Sequence, residues 1–527
     1  MFDSFVFSVL LKHIMSEIVS PNINQILEQN GTQPCFEAFL KNVNSSLHKA
    51  FYEIDDITEF SKKRRFPSHV LKEILSAVPL SVAIPSEYGG RGSHVKECLS
   101  ILEAASYESL SLSLVFGINI ALFIEPLGKY GHENVKKRIF EKFLKDQHMG
   151  GLMITEPDYG SDALNMQTSN QQIGDKYHIK GTKHWQGLTG MADYWVMTCR
   201  KKSESGSLGR DIDFFITDEH DPKQKIKVLE YYNNIGLYPI PYGLNEIDIT
   251  VPEENKLIPE STGLKLMMDL LHRSRLQFPG MAMGFIRRML DDTLEYCTKR
   301  YVGGKSLLEL DSIKHQVSKI QSAFTICSAM CHRSSQFSGI DNNVAGDAIE
   351  ANTMKAFITD LMQDCAQTSV QLHGAMGYRE EHVASRGIVD SRPFRIFEGS
   401  NEMLYSQIGE MVLKKMTRQK TLNLSEYFKS FELVERAQDH FKKMLNITLE
   451  AGLSQRKLVE LGRIISRVAS ANMVLHLGES GFKNELIESC IDILKQEVKS
   501  LVCSFQEHSQ VSPFIDYKEG SEWLQCS

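Results

Sequence analysis

Between Gly150 and Ala163 the chain reads GGLMITEPDYGSDA, and here its texture changes. Upstream, from about Cys35 to Met149, apolar residues recur at helical spacing, as in VLKEILSAV and ECLSILEAASYESLSLSLVFGINIALFI. One loop, IPSEYGGRGS (Ile84 to Ser93), breaks that run with Pro and Gly. Downstream come short segments, KYHIKGTKHW, ADYWVMTCR, DIDFFITD, KIKVLEYY and NEIDITVP, divided by Gly, Asp and Ser turns. Their period of two and their β-branched and aromatic content belong to strands. Around Gly263 the helical period returns and holds to about Leu413. Helices, a strand-rich insert and helices again predict an α+β chain.

A further helical block follows. Leu458, Leu461, Ile465, Val468 and Leu475 share one face, and Ile487, Ile491, Leu494, Val498 and Leu501 another. The expected division is an N-terminal helical domain (1–149), a central β-barrel-like domain (150–257), a C-terminal helical bundle (258–413) and an additional helical domain (414–527).

Length and composition narrow the function. A chain of 527 residues exceeds one ordinary core, so roughly two to four units are expected. Hydrophobic content of 42% and charged content of 24% are those of a soluble globular protein. A net charge of −7 argues against a nucleic-acid binder, and Lys62, Lys63, Arg64 and Arg65 read as a solvated helix end. Ten scattered cysteines point to reduced thiols in a cytoplasmic compartment. Cys327, Cys331 and His332 lie in ICSAMCH, which reads as buried helix, and no metal centre is expected. The N-terminal MFDSFVFSVLLKHIM has Asp3 in place of a basic n-region and reads as neither signal peptide nor membrane span, with Met15 an alternative start.

Four stretches carry chemistry. In GGLMITEPDYGSDA, Thr155, Gly160 and Ser161 combine a hydroxyl, a flexible turn and exposed amides suited to a polar cofactor edge. In GTKHWQG, Trp185 stands at a strand end, where an indole covers either a planar ligand or the core. VQLHGAMGYREEHVASRGIVD is a helix ending in small residues, where backbone approaches a ligand closely. FRIFEGSNEML (Phe394 to Leu404) sets Glu398 beside Ile396 and Phe397. A carboxylate in an apolar setting is costly unless it is paired, solvated or used, and burial makes it a stronger base. The rival reading has Glu398 capping a helix or pairing with Arg392 or Arg395.

Taken together, the set resembles the acyl-CoA dehydrogenase family from about Ile84 to Met411. IPSEYGGRG is similar to its IPEEYGGxG loop, MITEPDYGSD to TEPxxGSD, GTKHWQG to GxKxWITN, QLHGAMGY to QxxGGxGY and IFEGSNE to YEGTSE. The resemblance implies FAD as cofactor and an acyl-CoA or acyl-carrier thioester as substrate. Glu398 would be the base that removes the α-proton while a β-hydride passes to the flavin. An electron-transferring flavoprotein would take the electrons. Leu152, Met153, Ile154, Thr155 and Ser161 would line the flavin and Trp185 flank it, with Gln186 and Gly187 beside. Arg300 would reach a neighbouring subunit's FAD, with Gln371, Gly374 and Ala375 at its adenosine end. Ser400 and Glu402 would also meet the cofactor. Ser161, Ser274, Arg275 and Gly399 would lie along the thioester. Relatives that carry the base on the earlier helix have Glu where this chain has Ser274, which leaves Glu398 as the base.

Two departures touch the flavin. Gly187 replaces a family hydroxyl, and Arg300, Tyr301, Val302, Gly303 and Gly304 replace the family's RxxFG. A flavin monooxygenase and a non-catalytic acyl-binding protein on the same fold are therefore the alternatives. The helical extension resembles that of the very-long-chain members, which implies a homodimer, long acyl groups and peripheral membrane contact.

Overall fold

The computed structural model describes residues 33–450, 452–507 and 513–525, so the N-terminal stretch with Met15 lies outside the described residues. The chain divides between Gly399 and Ser400 into two compact units.

The first unit opens with helices. Helix α1 (Val95–Glu108) gives way at Ser109, whose side chain accepts the N–H of Leu112 and caps α2 (Leu110–Asn119). Helical structure continues to Tyr130. The run Leu110–Tyr130 is long and apolar enough to cross a membrane, but 94% of its most apolar window is buried inside the protein, as in a core helix. Asn119 Oδ1 accepts the Gly150 N–H at 2.7 Å and so fastens the first strand to that core.

Seven strands follow: β1 (Gly150–Met153), β2 (Ser169–Ile173), β3 (Lys176–His184), β4 (Tyr194–Lys201), β5 (Asp213–Asp218), β6 (Lys227–Tyr231) and β7 (Gly243–Pro252). They form one sheet in the order β1-β4-β2-β3-β7-β6, with β5 on β4. Strand β4 explains the sheet's curl. One edge pairs antiparallel with β5, while the other takes β1 at Tyr194–Met197 and then β2 at Arg200 and Lys201. Residues Tyr194 to Cys199 are buried on both faces, as a strand covered on two sides requires. The expected β domain is thus a curled sheet.

Helix α3 (Gly263–Lys299, 37 residues) runs through the unit and contacts α1, α4 (Asp311–Phe337) and α5 (Ala348–His373). A Cβ at Gly284 would stand 2.0 Å from Glu103 O, so only glycine lets α3 approach α1 this closely. Cys327 is buried on α4, its thiol donating to Pro279 O at 3.1 Å, which is the expected core packing. The basic cluster is exposed just after the short helix Ile57–Phe60, as a solvated helix end would be, and its side chains make surface contacts. Lys62 stands 3.3 Å from Glu380 Oε2, and Arg64 and Arg65 lie over the Tyr231 ring. Helix α6 (Val383–Ser391) follows α5.

The second unit is helical: α7 (Asn401–Arg418), α8 (Gln455–Glu479) and α9 (Asn484–Glu507). Helices α7 and α8 cross through reciprocal glycines. A Cβ at Gly409 would meet Leu458 O at 2.3 Å, and one at Gly462 would meet Tyr405 O at 1.9 Å. Backbone cannot yield as a flexible side chain does. Gly462→Val is therefore expected to destabilise this unit by ~1–3 kcal/mol or more, read as faster amide hydrogen exchange across α7 and α8 in the full chain.

Candidate active site

The FRIFEGS stretch folds into a tight turn. Pro393 O accepts the N–H groups of Ile396 (2.8 Å) and Phe397 (3.0 Å), after which Glu398 and Gly399 both take positive φ, 54° and 95°. For glycine this is easy; for glutamate it costs ~1–2 kcal/mol. Two buried cations hold the turn. Arg275 donates to Glu398 O through Nε (3.1 Å) and Nη2 (2.8 Å), and Lys355 Nζ donates to Gly399 O at 2.7 Å. Arg275 is itself fixed by Asn352 Oδ1 at 2.7 Å.

The carboxylate has two unlike oxygens. Oε1 accepts the Ser274 hydroxyl at 2.9 Å, whereas Oε2 is buried and has no hydrogen-bond partner. Phe278, Phe394 and Phe397 form the adjoining apolar cluster, with ring centroids 4.9–6.1 Å apart. Burial raises the Glu398 pKa above the ordinary carboxylate value, against the opposing pull of Arg275, the Ser274 hydrogen bond and Lys355. The Glu398 main-chain N–H meets no acceptor among the described residues. Arg395 does not pair with Glu398, since its Nε lies 2.8 Å from Asp360 Oδ1. This arrangement suits a general base: one oxygen is oriented, the other is free, and the charge is poorly solvated.

A second cluster joins the TEP and HWQG stretches. Thr155 O accepts from His184 N (3.0 Å) and Gln186 Nε2 (3.1 Å). Beneath it, the buried Lys183 donates to Ile154 O (2.9 Å), Glu156 Oε1 (3.0 Å) and Thr198 Oγ1 (3.1 Å), and Glu156 accepts the Thr168 N–H. Leu152 and Met153 belong to β1, and Ile154 and Thr155 follow it directly. Trp185 has φ 60°, is 50% exposed and lies 4.5 Å from the Tyr232 ring. Gly187 is explained by its neighbours: a Cβ there would stand 2.8 Å from Ile118 Cδ1 and 3.5 Å from Ile240 and Tyr242. Those side chains leave little room for a side chain at this position.

A third group lies at one end of α3 and α5. Thr293 Oγ1 donates to Ser369 Oγ at 2.9 Å, and the Tyr296 and His373 rings stand 4.5 Å apart, which brings the two helix ends together. Arg300, Gln371, Gly374 and Ala375 are exposed there. The altered loop after Arg300 is a small hairpin pairing Tyr301–Val302 with Lys305–Ser306. In the second unit, Ser400 stands at the N-cap of α7 and Glu402 in its first turn, 3.8 Å from Arg463.

These surroundings fit a flavin. A half-exposed indole in the left-handed region offers a flat face beside Thr155, and nothing would obstruct a Cβ at Gly160, next to the exposed Ser161. Sequence reasoning missed Lys355 and Asn352. The signal was weak: Lys355 and Asn352 are buried on α5, but so are Glu350, Asp360 and Gln363, so a buried polar group there did not single them out.

Comparison with known proteins decides the family. Models of the acyl-CoA dehydrogenase N-terminal, middle and C-terminal domains match residues 37–147, 151–248 and 261–413. The chain belongs to the acyl-CoA dehydrogenase family. An acyl-CoA dehydrogenase of Bacillus subtilis is 25% identical over 357 residues, covering 67% of this chain and 91% of the relative. The human very long-chain specific mitochondrial enzyme is 22% identical over 391 residues, covering 72% of this chain, which spans 57% of that relative's length. Among solved structures, an acyl-CoA dehydrogenase complexed with FAD from Bacillus anthracis superposes with TM-score 0.73 at 18% identity, covering 93% of this chain and 90% of that one. Membership bears out the expected fold and family, and with them an FAD-dependent oxidoreductase acting on acyl-CoA.

Lys183→Met would leave the Glu156 carboxylate buried beneath the segment that follows β1 without its cation. A stability loss of ~3–5 kcal/mol is expected, measured as a lowered denaturation midpoint.

Proposed function

We propose that the protein dehydrogenates an acyl thioester at its α,β bond to the trans-2-enoyl product, with Glu398 as the α-proton base. The observation that carries this reading is the free, buried Oε2 on a carboxylate whose backbone is clamped by Arg275 and Lys355. The α-proton of a thioester is a weak acid, so the base needs a raised pKa and the developing enolate needs hydrogen-bond donors. Burial supplies the first. The unengaged main-chain N–H of Glu398 is a donor for the thioester oxygen. FAD, when bound, accepts the β-hydrogen as hydride. Leu152, Met153, Ile154, Thr155 and Trp185 would hold the flavin ring, with Gln186 and Gly187 behind them. Ser161, Ser274, Arg275 and Gly399 would lie along the thioester.

The reading extends to assembly. Arg300, Gln371, Gly374 and Ala375 are exposed at one helix end near Met376 (52% exposed) and Tyr378 (84%), as residues would be that meet the FAD of a second copy in a homodimer. An electron-transferring flavoprotein is the proposed acceptor. The extension, by its likeness to the very-long-chain members, favours long acyl groups.

Anaerobic titration of the FAD-loaded protein with saturated acyl-CoAs of rising length tests the reading. The oxidised flavin band is expected to bleach, and a band that persists at every length would refute dehydrogenation. Glu398→Gln is expected to keep its flavin while bleaching slows by at least ~10²–10⁴-fold.

The pH dependence has a definite sign. Activity needs ionised Glu398, so it is lost as pH falls through the raised pKa. The Ser274 hydrogen bond lowers that pKa, so Ser274→Ala should move the acid limb of the kcat/KM profile to higher pH.

A further inference from the structure

His148, Asp193 and His220 lie far from one another in sequence but meet at one end of the sheet. One ligand atom from each lies within 4.8 Å of the others. We propose that they form a binding site for a divalent transition ion of the zinc class, separate from the dehydrogenation chemistry. Topology brings them together: His148 precedes β1, Asp193 precedes β4 and His220 follows β5, and these strands are neighbours, β1 and β5 both pairing with β4.

The donors are already oriented. Asp193 Oδ2 accepts the Met149 N–H at 2.8 Å, which aims Oδ1 at His220 Nε2, 3.0 Å away. Two ligands on one ion, with bonds of ~2.0–2.1 Å, stand ~2.9–3.4 Å apart in octahedral or tetrahedral geometry, so this pair is spaced as one edge of a coordination shell. His148 Nδ1 faces the Tyr194 hydroxyl at 3.3 Å, which leaves Nε2 as the ligand atom and supplies the outer partner that metal-bound imidazoles generally have. The two imidazole rings lie 4.8 Å apart. Gln147, just before His148, takes φ 59°, a left-handed conformation that glutamine adopts only under constraint and that turns the chain towards the site.

Two imidazoles and one carboxylate select the metal. Nitrogen and oxygen donors without thiolate favour Zn²⁺, Ni²⁺ or Co²⁺ over Ca²⁺ or Mg²⁺, which take mainly oxygen. Three protein ligands leave a position for water. The ion would tie together three loops at one end of the β1-β4-β5 part of the sheet, which gives it a structural role.

The test uses full-length, FAD-loaded protein stripped with a chelator and dialysed to equilibrium against Zn²⁺, with bound zinc measured directly. One zinc per chain is expected, together with a raised thermal midpoint. His148→Ala and His220→Ala should each weaken that binding ~10-fold or more and abolish the thermal shift. The His220 side chain is 56% exposed, so its removal leaves the core untouched, and an unchanged flavin content confirms folding. Absence of bound zinc would overturn the proposal. So would zinc retained equally by both variants, which would assign it to other histidines or to thiols.

Discussion

A carboxylate taken out of water must be held by something that does not neutralise it. That constraint organises the site around Glu398. Arg275 and Lys355 are close enough to moderate its pKa, yet toward the turn they donate to main-chain carbonyls, those of Glu398 and Gly399, rather than to the carboxylate. A direct ion pair on the carboxylate would have stabilised the charged form and weakened the base. Clamping the carbonyls instead offsets the cost of the left-handed backbone at Glu398 and leaves Oε2 available.

The fold serves this arrangement through two helices. Within little more than one turn, α3 supplies Ser274, Arg275 and Phe278, and α5 supplies Asn352 and Lys355 less than one turn apart. Residues spaced by three or four share a helix face, so two rigid elements place five groups about a single turn. The curled sheet joins the TEP and HWQG stretches in the same way. Strand β3 ends beside the segment leaving β1, and Thr155 O ties the two stretches. A buried ion pair, Lys183 with Glu156, fixes the loop below.

Much of this was legible in the sequence. The change from period 3.6 to period two near Gly150 and back near Gly263 located the sheet, because alternation and helical spacing follow directly from backbone geometry. Of the apolar neighbours that marked Glu398 as a carboxylate in a dry setting, Phe397 joins the aromatic cluster, whereas Ile396 is exposed and takes no part. Less legible were groups whose role comes only from tertiary contact. Nothing local to Lys355 says that its amine reaches Gly399. The space at Gly187 is taken by Ile118, Ile240 and Tyr242, all distant in sequence or beyond the turn. The basic run at Lys62–Arg65 is exposed as the sequence suggested, but its surface partners, Tyr231 and Glu380, lie elsewhere in the chain. Ser274 was visible only as the lack of a second carboxylate; its hydrogen bond to Glu398 is a product of the fold.

The central claim is that Glu398 Oε2 takes the α-proton, and exchange of that proton with solvent reads this step apart from flavin reduction. Protein loaded with FAD is incubated in D₂O with an acyl-CoA analogue that cannot lose a β-hydride, and α-deuterium is followed by NMR. The account predicts enzyme-dependent deuterium uptake that disappears in Glu398→Gln. Equal uptake by the variant would contradict it and assign the base to another group.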